Sequence, residues 1–544
     1  MISLTSHFTK SIPTKTTVVT TVSDIQCYSF LFFVSLNTTF LIRSILSKPT
    51  KVTTNNSHLL PSPPALPIIG HLHLLGPSLY KSLYNLSTKH GPLLYLRFGA
   101  SYCLLVSSAS VASEIFKSQD LAFASRPRFA FSNKLLYGTS GFVTAPYGDY
   151  WRFMKKLCVT ELLGTKQLER SLFVRREEKE RLLKRMLESA RKKDDVDVGV
   201  EVMKFTNTVT CRMAMSTSCL EQEGEAEKIR GLVMESFKLA AKMFFGDVLG
   251  PFKKLGFWVF GKQALDLTRR YDELLEDHEV RRSKNGGERE DKDLMDILLD
   301  VCHDEKAEVK ITRTHIKAFF VDLFIAGTGT SAESMQWAIA ELINHPSVFN
   351  KVREQIESIV GKTRLVEESD IPNLPYLQAV VKETLRLYPP GPVTTKECCQ
   401  NCKINVYDMP EKIAVAINIY AIMRDPDSWD DPNEFRPERF LVSLNEQEKL
   451  DQCQVEGKGQ TFNFVPFGAG RRGCPGTALA FSMIHTAVAT LVRCFDLKVS
   501  GEEYGTKVDM QPGPGMRHVI EHGSPTYSSS YCSLQSIYCF YIII

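Results

Sequence analysis

The sequence predicts a mainly α-helical protein with a small β-rich subdomain and an apolar N-terminal anchor. Three observations carry that expectation. The segment Ile311 to His345 repeats apolar residues at helical spacing (Ile316, Phe319, Phe320, Leu323, Phe324) before Pro346. Tyr95 to Phe98 and Cys103 to Val106 read as strands of a small sheet near the start of the globular part. Ile25 to Ile42 is a mostly apolar run whose eighteen residues would rise ~27 Å as a helix, close to the ~30 Å of a bilayer core. With 544 residues, 43% of them hydrophobic, the chain can bury a large core. A net charge of +4 is too small to argue for nucleic acid, and mixed-sign runs such as Arg175 to Glu180 mark solvated faces.

Taken in order, residues 1–24 form a polar extension rich in Ser and Thr, with Lys10 and Lys15 and no acid before Asp24. That composition is shared with plastid transit peptides and with an overlong gene start. Residues 25–45 are the expected transmembrane anchor. Arg43, Lys48 and Lys51 follow it and favour a cytoplasmic downstream side. A cleaved signal peptide is the competing reading. Residues 46–70 are a linker that stiffens at Pro61-Ser62-Pro63-Pro64. Residues 71–520 are expected to form the catalytic domain, and 521–544 an atypical tail. The fourteen cysteines are scattered. Cys399 and Cys402 have the spacing of half a zinc site, with no second pair at a matching distance.

Within the domain, Tyr147 to Lys156 reads as an amphipathic helix carrying Trp151 and Lys155. The centre of the long helical segment is Ala326-Gly327-Thr328-Gly329-Thr330-Ser331. Two glycines in mid-helix cost roughly 1 kcal/mol each against alanine, so the backbone is expected to be needed open there. Thr330 could equally bond back to the preceding turn. Glu383 and Arg386, three apart, share a helix face that Pro389-Pro390 ends; alone they read equally as a surface ion pair. Arg439 follows in a proline-bounded loop. Arg281 to Asp293 reads as a charged loop, and Ser443 to Gln460 as a polar connection. Then Phe467-Gly468-Ala469-Gly470-Arg471-Arg472-Gly473-Cys474-Pro475-Gly476 sets one cysteine in a glycine-rich loop before an apolar helix, Thr477 to Leu491. Backbone N–H groups can approach sulfur closely in such a loop, which suits an axial haem thiolate.

That loop resembles the haem-binding signature of the cytochrome P-450 family, Phe-x-x-Gly-x-Arg-x-Cys-x-Gly, at every fixed position. The resemblance implies the P-450 fold and haem b with Cys474 as the axial iron ligand. It implies Phe467, Arg472 and Gly476 as further cofactor-binding residues. Trp151 would bond a haem propionate, Lys155 stands where arginine is usual, and Lys396 stands where relatives place a propionate-binding arginine or histidine. Glu383, Arg386 and Arg439 would form a buried structural triad. Thr330 is the expected catalytic residue, bonding dioxygen in a groove of the long helix. Gly329 departs from the acidic residue usual before that threonine, which belongs to a proton relay. Three explanations stand side by side: water carries the relay, the chemistry does not need it, or the protein is impaired.

The texts Leu66 to Leu74 and Leu374 to Ala379 resemble plant A-type members, near those that oxidise flavonoids and triterpenoids. This implies an NADPH-dependent monooxygenase fed by NADPH–cytochrome P-450 reductase, with the weak positive balance near Arg471 and Arg472 permitting an acidic partner. It would act on a lipophilic small molecule from the endoplasmic reticulum membrane, its catalytic domain cytosolic; a plastid is the alternative address. Pocket residues are expected within Ser125 to Tyr137, Phe320 to Thr330 and Val393 to Thr395. The tail after Arg517-His518 lacks the strand–turn–strand ending of relatives. A reductase-independent haem-thiolate isomerase or dehydratase, and a catalytically defective haem protein, are the alternative functions.

Overall fold

The computed structural model describes residues 29–36, 38–39, 60–76, 78–127, 137–192, 194–215, 228–236, 239, 253–284, 293–361, 363–441, 462–498, 507–508, 510 and 519–520. The chain divides into Met1–Thr53 and Thr54–Ile544. In the first unit, 29–36 and 38–39 are helical, with Phe30, Leu31, Phe32, Phe33 and Val34 exposed. Thr38 and Thr39 donate their hydroxyls to the carbonyls of Val34 (2.9 Å) and Ser35 (2.7 Å). Their polarity is thereby satisfied within the helix, as a hydrocarbon surrounding demands.

The second unit is mainly helical. Its longer helices are α1 (Leu79–His90), α2 (Asp149–Leu157), α3 (Leu172–Lys192), α4 (Val198–Met215), α5 (Lys253–Lys284), α6 (Leu294–His303), α7 (Arg313–Asn344), α8 (Pro346–Val360), α9 (Pro375–Leu387) and α10 (Thr477–Cys494). Helix α7 is the axis of the core. Thr312 caps its start, accepting from the His315 N–H, and helix α8 begins at once with Pro346 at its first position. Phe319, Phe320, Phe324, Ala338 and Ile339 of α7 are wholly buried among α4, α9 and α10. Helix α10 is long and apolar enough to cross a membrane, yet most of it is buried against its neighbours, as befits a core helix.

The strands are β1 (Leu93–Phe98), β2 (Ser101–Val106), β3 (Val196–Asp197), β4 (Val393–Glu397), β5 (Cys402–Ile404), β6 (Tyr407–Met409), β7 (Ala414–Asn418) and β8 (Val519–Ile520). The hairpin β1–β2 turns at Gly99, whose φ of 59° suits glycine. The main sheet runs β1-β2-β7-β4, with β2 and β7 parallel and the other pairs antiparallel. The β3–β8 and β5–β6 pairs stand apart as small ladders.

One expectation needs correcting. The charged stretch from Arg281 is not loop from its start, because α5 continues through Lys284 and Asp293 already caps α6, accepting from the N–H groups of Met295 and Asp296. Good helix formers outweigh the charge there. The polar connection 443–460, the extension 1–24 and most of the tail lie outside the described residues.

Candidate active site

The loop before α10 is built by its glycines. Gly468 and Gly470 have φ of 66° and 69°, and the Gly473 N–H donates to the Gly470 carbonyl at 2.9 Å. A β-carbon at Gly470 would lie 2.3 Å from an Asp120 carboxylate oxygen and 2.9 Å from the Phe116 carbonyl, so no larger residue fits. The Cys474 N–H donates to the Phe467 carbonyl at 3.0 Å, closing the loop, and the Phe467 ring meets Phe481 edge-on. Thr477 donates its hydroxyl to the Cys474 carbonyl at 3.0 Å.

Cys474 is exposed by area, yet the protein around it is dense enough that desolvation pushes its thiol above the ordinary value. Both hold for a side chain lining an interior hollow. Ala326 on α7 and Ala478 on α10 are exposed in the same way within largely buried helices. The Gly476 N–H, the Lys155 ammonium and the Thr477 hydroxyl pull the thiol back toward ionisation. A thiolate here still lacks full compensation, which is the condition under which a metal cation is favoured.

Beside the loop lies a basic cradle. Helix α2 brings Trp151 and Lys155 together, with the Lys155 ammonium donating to the carbonyls of Gly473 (2.9 Å) and Arg471 (3.4 Å). The Arg472 guanidinium sits 4.3 Å from the Trp151 ring centroid and donates to the carbonyls of Ala124 and Ala145, both at 2.6 Å. Strand β4 carries Lys396, 1% exposed, whose ammonium lies 3.6 Å from Asp120. Burial lowers Lys396 to about 8, Asp120 opposing and the nearby Arg126 and Arg472 guanidiniums reinforcing. Burial and Arg126 together lower Arg472 to about 9. Among the described residues the buried Trp151 indole nitrogen has no hydrogen-bond partner, and the Lys396 ammonium has only the Asp120 carboxylate, at 3.6 Å. Crowded cations beside buried unused donors are the signature of a site for an anion. The carboxylates of haem would fit this donor set.

Helix α7 crosses the site with Gly327 against α4. A β-carbon there would lie 2.6 Å from the Thr210 hydroxyl, so this glycine permits close helix packing. The Thr206 hydroxyl of α4 donates to the Thr328 carbonyl at 2.5 Å, and the Thr328 hydroxyl to Asn207 Oδ1 at 3.1 Å. Thr330 donates to the Ala326 carbonyl at 2.9 Å, leaving its oxygen able to accept. Asp322, two turns earlier, accepts from the Val143 N–H at 2.9 Å, and burial raises it to about 7. It thereby holds the loop whose Phe142 stacks on Trp151 at 5.8 Å.

The structure brings Glu383, Arg386 and Arg439 together. Arg386 donates both prongs of its fork to Glu383 at 2.7 and 2.9 Å, and Arg439 Nε donates to the same carboxylate at 2.9 Å. The Arg386–Glu383 pair is fully buried. Remaining Arg386 donors reach the carbonyls of Met423, Pro432 and Glu434. Sequence reasoning missed Asp120 as a site residue, and it covered Arg126 only as part of the expected pocket stretch 125–137, with no role toward the cofactor. Their signal was only the Ser125-Arg126-Pro127 turn, because what places them beside Lys396 is the segment laid along β4: Arg126 donates to Thr394 Oγ1 at 3.0 Å, and the Glu397 N–H to the Ser125 carbonyl at 2.9 Å. Near the suspected half zinc site it is Cys398, not Cys399, that faces Cys402, sulfur to sulfur 3.5 Å. Among the described residues no cluster of three or more His, Cys, Asp or Glu could hold a metal ion.

The family model for Cytochrome P450 matches residues 60–518. Cytochrome P450 705A22 of Arabidopsis thaliana is 46% identical over 480 residues, covering 88% of this chain and 92% of that protein. Beta-amyrin 24-hydroxylase of Glycine max is 42% identical over 480 residues, covering 87% and 92%. A zebra fish cytochrome P450 structure with progesterone superposes with a TM-score of 0.66 at 24% identity, covering 82% of this chain and 97% of that one, a likeness of fold.

Proposed function

The chain belongs to the cytochrome P450 family, and from that premise we propose that it is a membrane-anchored hydroxylase of a terpenoid, triterpenoid or flavonoid-type plant metabolite. As a member it is an NADPH-dependent monooxygenase that uses haem with an axial cysteine thiolate. The substrate class rests on likeness to a β-amyrin hydroxylase of which this chain covers nine-tenths.

Bound haem supplies the activation of dioxygen. The chain's own residues do the rest. Cys474 is the ligand in our reading, supported by its place in an interior hollow with the Gly476 N–H, Lys155 and Thr477 arranged to favour its ionised form. Trp151, Lys396, Lys155 and Arg472 hold the carboxylates, with Phe467 and Gly476 shaping the loop. Thr330, on the face of α7 that carries exposed Ala326, orients what binds above the cofactor and holds a proton at its hydroxyl. NADPH–cytochrome P-450 reductase is the proposed partner, docking from the side of exposed Arg471. The apolar helix in residues 25–45 is the proposed anchor in the endoplasmic reticulum membrane, with 46–70 as linker, 71–520 as the catalytic domain and 521–544 as tail.

The single observation that carries the site assignment is the pair of buried donors beside the cysteine loop, Trp151 Nε1 with no partner among the described residues and Lys396 Nζ with only Asp120 at 3.6 Å. Expression with a plant reductase and haem precursor, followed by a reduced carbon-monoxide difference spectrum, tests it. The thiolate band should be present, and Cys474→Ala should abolish it. A variant that kept the band would overturn the ligand assignment.

A further inference from the structure

We propose that Glu333 supplies the protons for dioxygen reduction in this protein, working through the Thr330 hydroxyl or one water. The inference rests on the monooxygenase reading above. Inserting one oxygen atom into an apolar substrate and reducing the other to water consumes two electrons and two protons per dioxygen. The electrons come from NADPH through the reductase. A hollow lined by apolar side chains needs a group that carries the protons inward and is itself reprotonated from solvent.

Helix α7 bears three acids, Asp322, Glu333 and Glu341. Asp322 is engaged by the backbone N–H groups of Phe142 and Val143. Glu341 accepts from the Tyr388 hydroxyl at 2.7 Å and faces His345 Nδ1 at 3.1 Å. Glu333 differs. It is 6% exposed, Trp337 donates to it from one turn on, and its Oε2 has no hydrogen-bond partner among the described residues. Trp337 is itself pinned, stacked on Tyr388 with centroids 4.0 Å apart, so the carboxyl is held in place.

Its position suits the task. At 3.6 residues per turn, Ala326, Thr330 and Glu333 fall within about 60° of one another around α7. Ala326 is exposed to the hollow, and Thr330 and Glu333, three apart, are surface neighbours with ~5–6 Å between their β-carbons. Gly329, a turn earlier, brings no side chain of its own. Burial raises the Glu333 carboxyl to about 8, so at neutral pH it holds a proton to give. The balance closes simply: the Glu333 O–H bond breaks toward the hollow, and solvent returns the proton to the carboxylate.

Glu333→Gln keeps shape and the tryptophan hydrogen bond but has no releasable proton. With reductase and NADPH, dioxygen reduction should slow by on the order of a hundredfold while the carbon-monoxide spectrum stays intact. Its solvent deuterium isotope effect should change, and the infrared difference spectrum between the unaltered holoenzyme and Glu333→Gln should show the loss of one protonated-carboxyl band, separate from that of Asp322. Gly329→Asp in the same chain should restore the rate. An intact spectrum with unchanged rate and isotope effect, or a difference spectrum in which no protonated-carboxyl band is lost, overturns the proposal. If Glu333→Gln does not retain haem, Trp337→Phe decides, since it removes the donor that holds the carboxyl: the band should shift and the isotope effect change, and constancy of both overturns it. No thiolate spectrum in the unaltered protein would defeat the monooxygenase reading instead.

Discussion

Glu383 faces two guanidiniums and the Arg436 backbone N–H, all converging on one carboxylate in a wholly buried position. Replacing that carboxylate leaves two cations uncompensated in a low-dielectric interior, where neither can regain water. Glu383→Ala should therefore cost roughly 3–5 kcal/mol in urea unfolding of the purified catalytic part. A loss under about 1 kcal/mol would show that the triad behaves as an exposed pair. The pairing of Glu383 with Arg386 was legible from their spacing of three in a helix. Which arginine of the following loop completes it was legible only by resemblance, since Arg436 and Arg439 share the same short stretch. The fold separates them: the Arg439 side chain turns inward to Glu383, while Arg436 reaches Asp431 at 3.5 Å.

At the scale of the element, α7 joins three jobs along one helix. Its first half holds the Phe142 loop through Asp322, its centre packs on α4 through Gly327, and its second half carries the partly unpaired Glu333. The sequence made its existence and its far end plain, because apolar periodicity and Pro346 are local signals, while the Thr312 cap emerged with the structure. The reason for Gly327 was not legible, because the atom it makes room for belongs to Thr210, far away in the chain. Asp322 gives a pH test. Its folded value of about 7 lies above the ordinary 3.8, so the native state holds a proton that the unfolded chain releases. The stability it contributes is full below about pH 4 and is lost as pH rises through about 7. Asp322→Asn should flatten the fall in thermal midpoint across that window. An unchanged slope would show that the carboxyl is ionised in the folded protein.

Across the whole molecule, apolar side chains are treated differently in the first unit and the second. The side chains of Phe30 to Val34 are exposed and apolar, whereas α10, equally apolar, lies within the core. Deleting residues 1–45 should move the protein from the membrane to the soluble fraction while leaving the thiolate spectrum intact. Persistent sedimentation with membranes would place further membrane contact in the second unit.

By itself, the sequence determined what depends on neighbours in the chain: the long central helix and the proline that ends it, the two strands of the small sheet, the cysteine loop and the family signature within it. Those features follow from periodicity, glycine conformations and fixed spacing, all of which are local. Only the tertiary structure decided what the loop meets. The cradle of Lys396, Arg126, Arg472 and Trp151 draws on segments hundreds of residues apart. The unused Glu333 oxygen is a fact of packing around α7. Charge repulsion and desolvation act through space, so no window of sequence contains them.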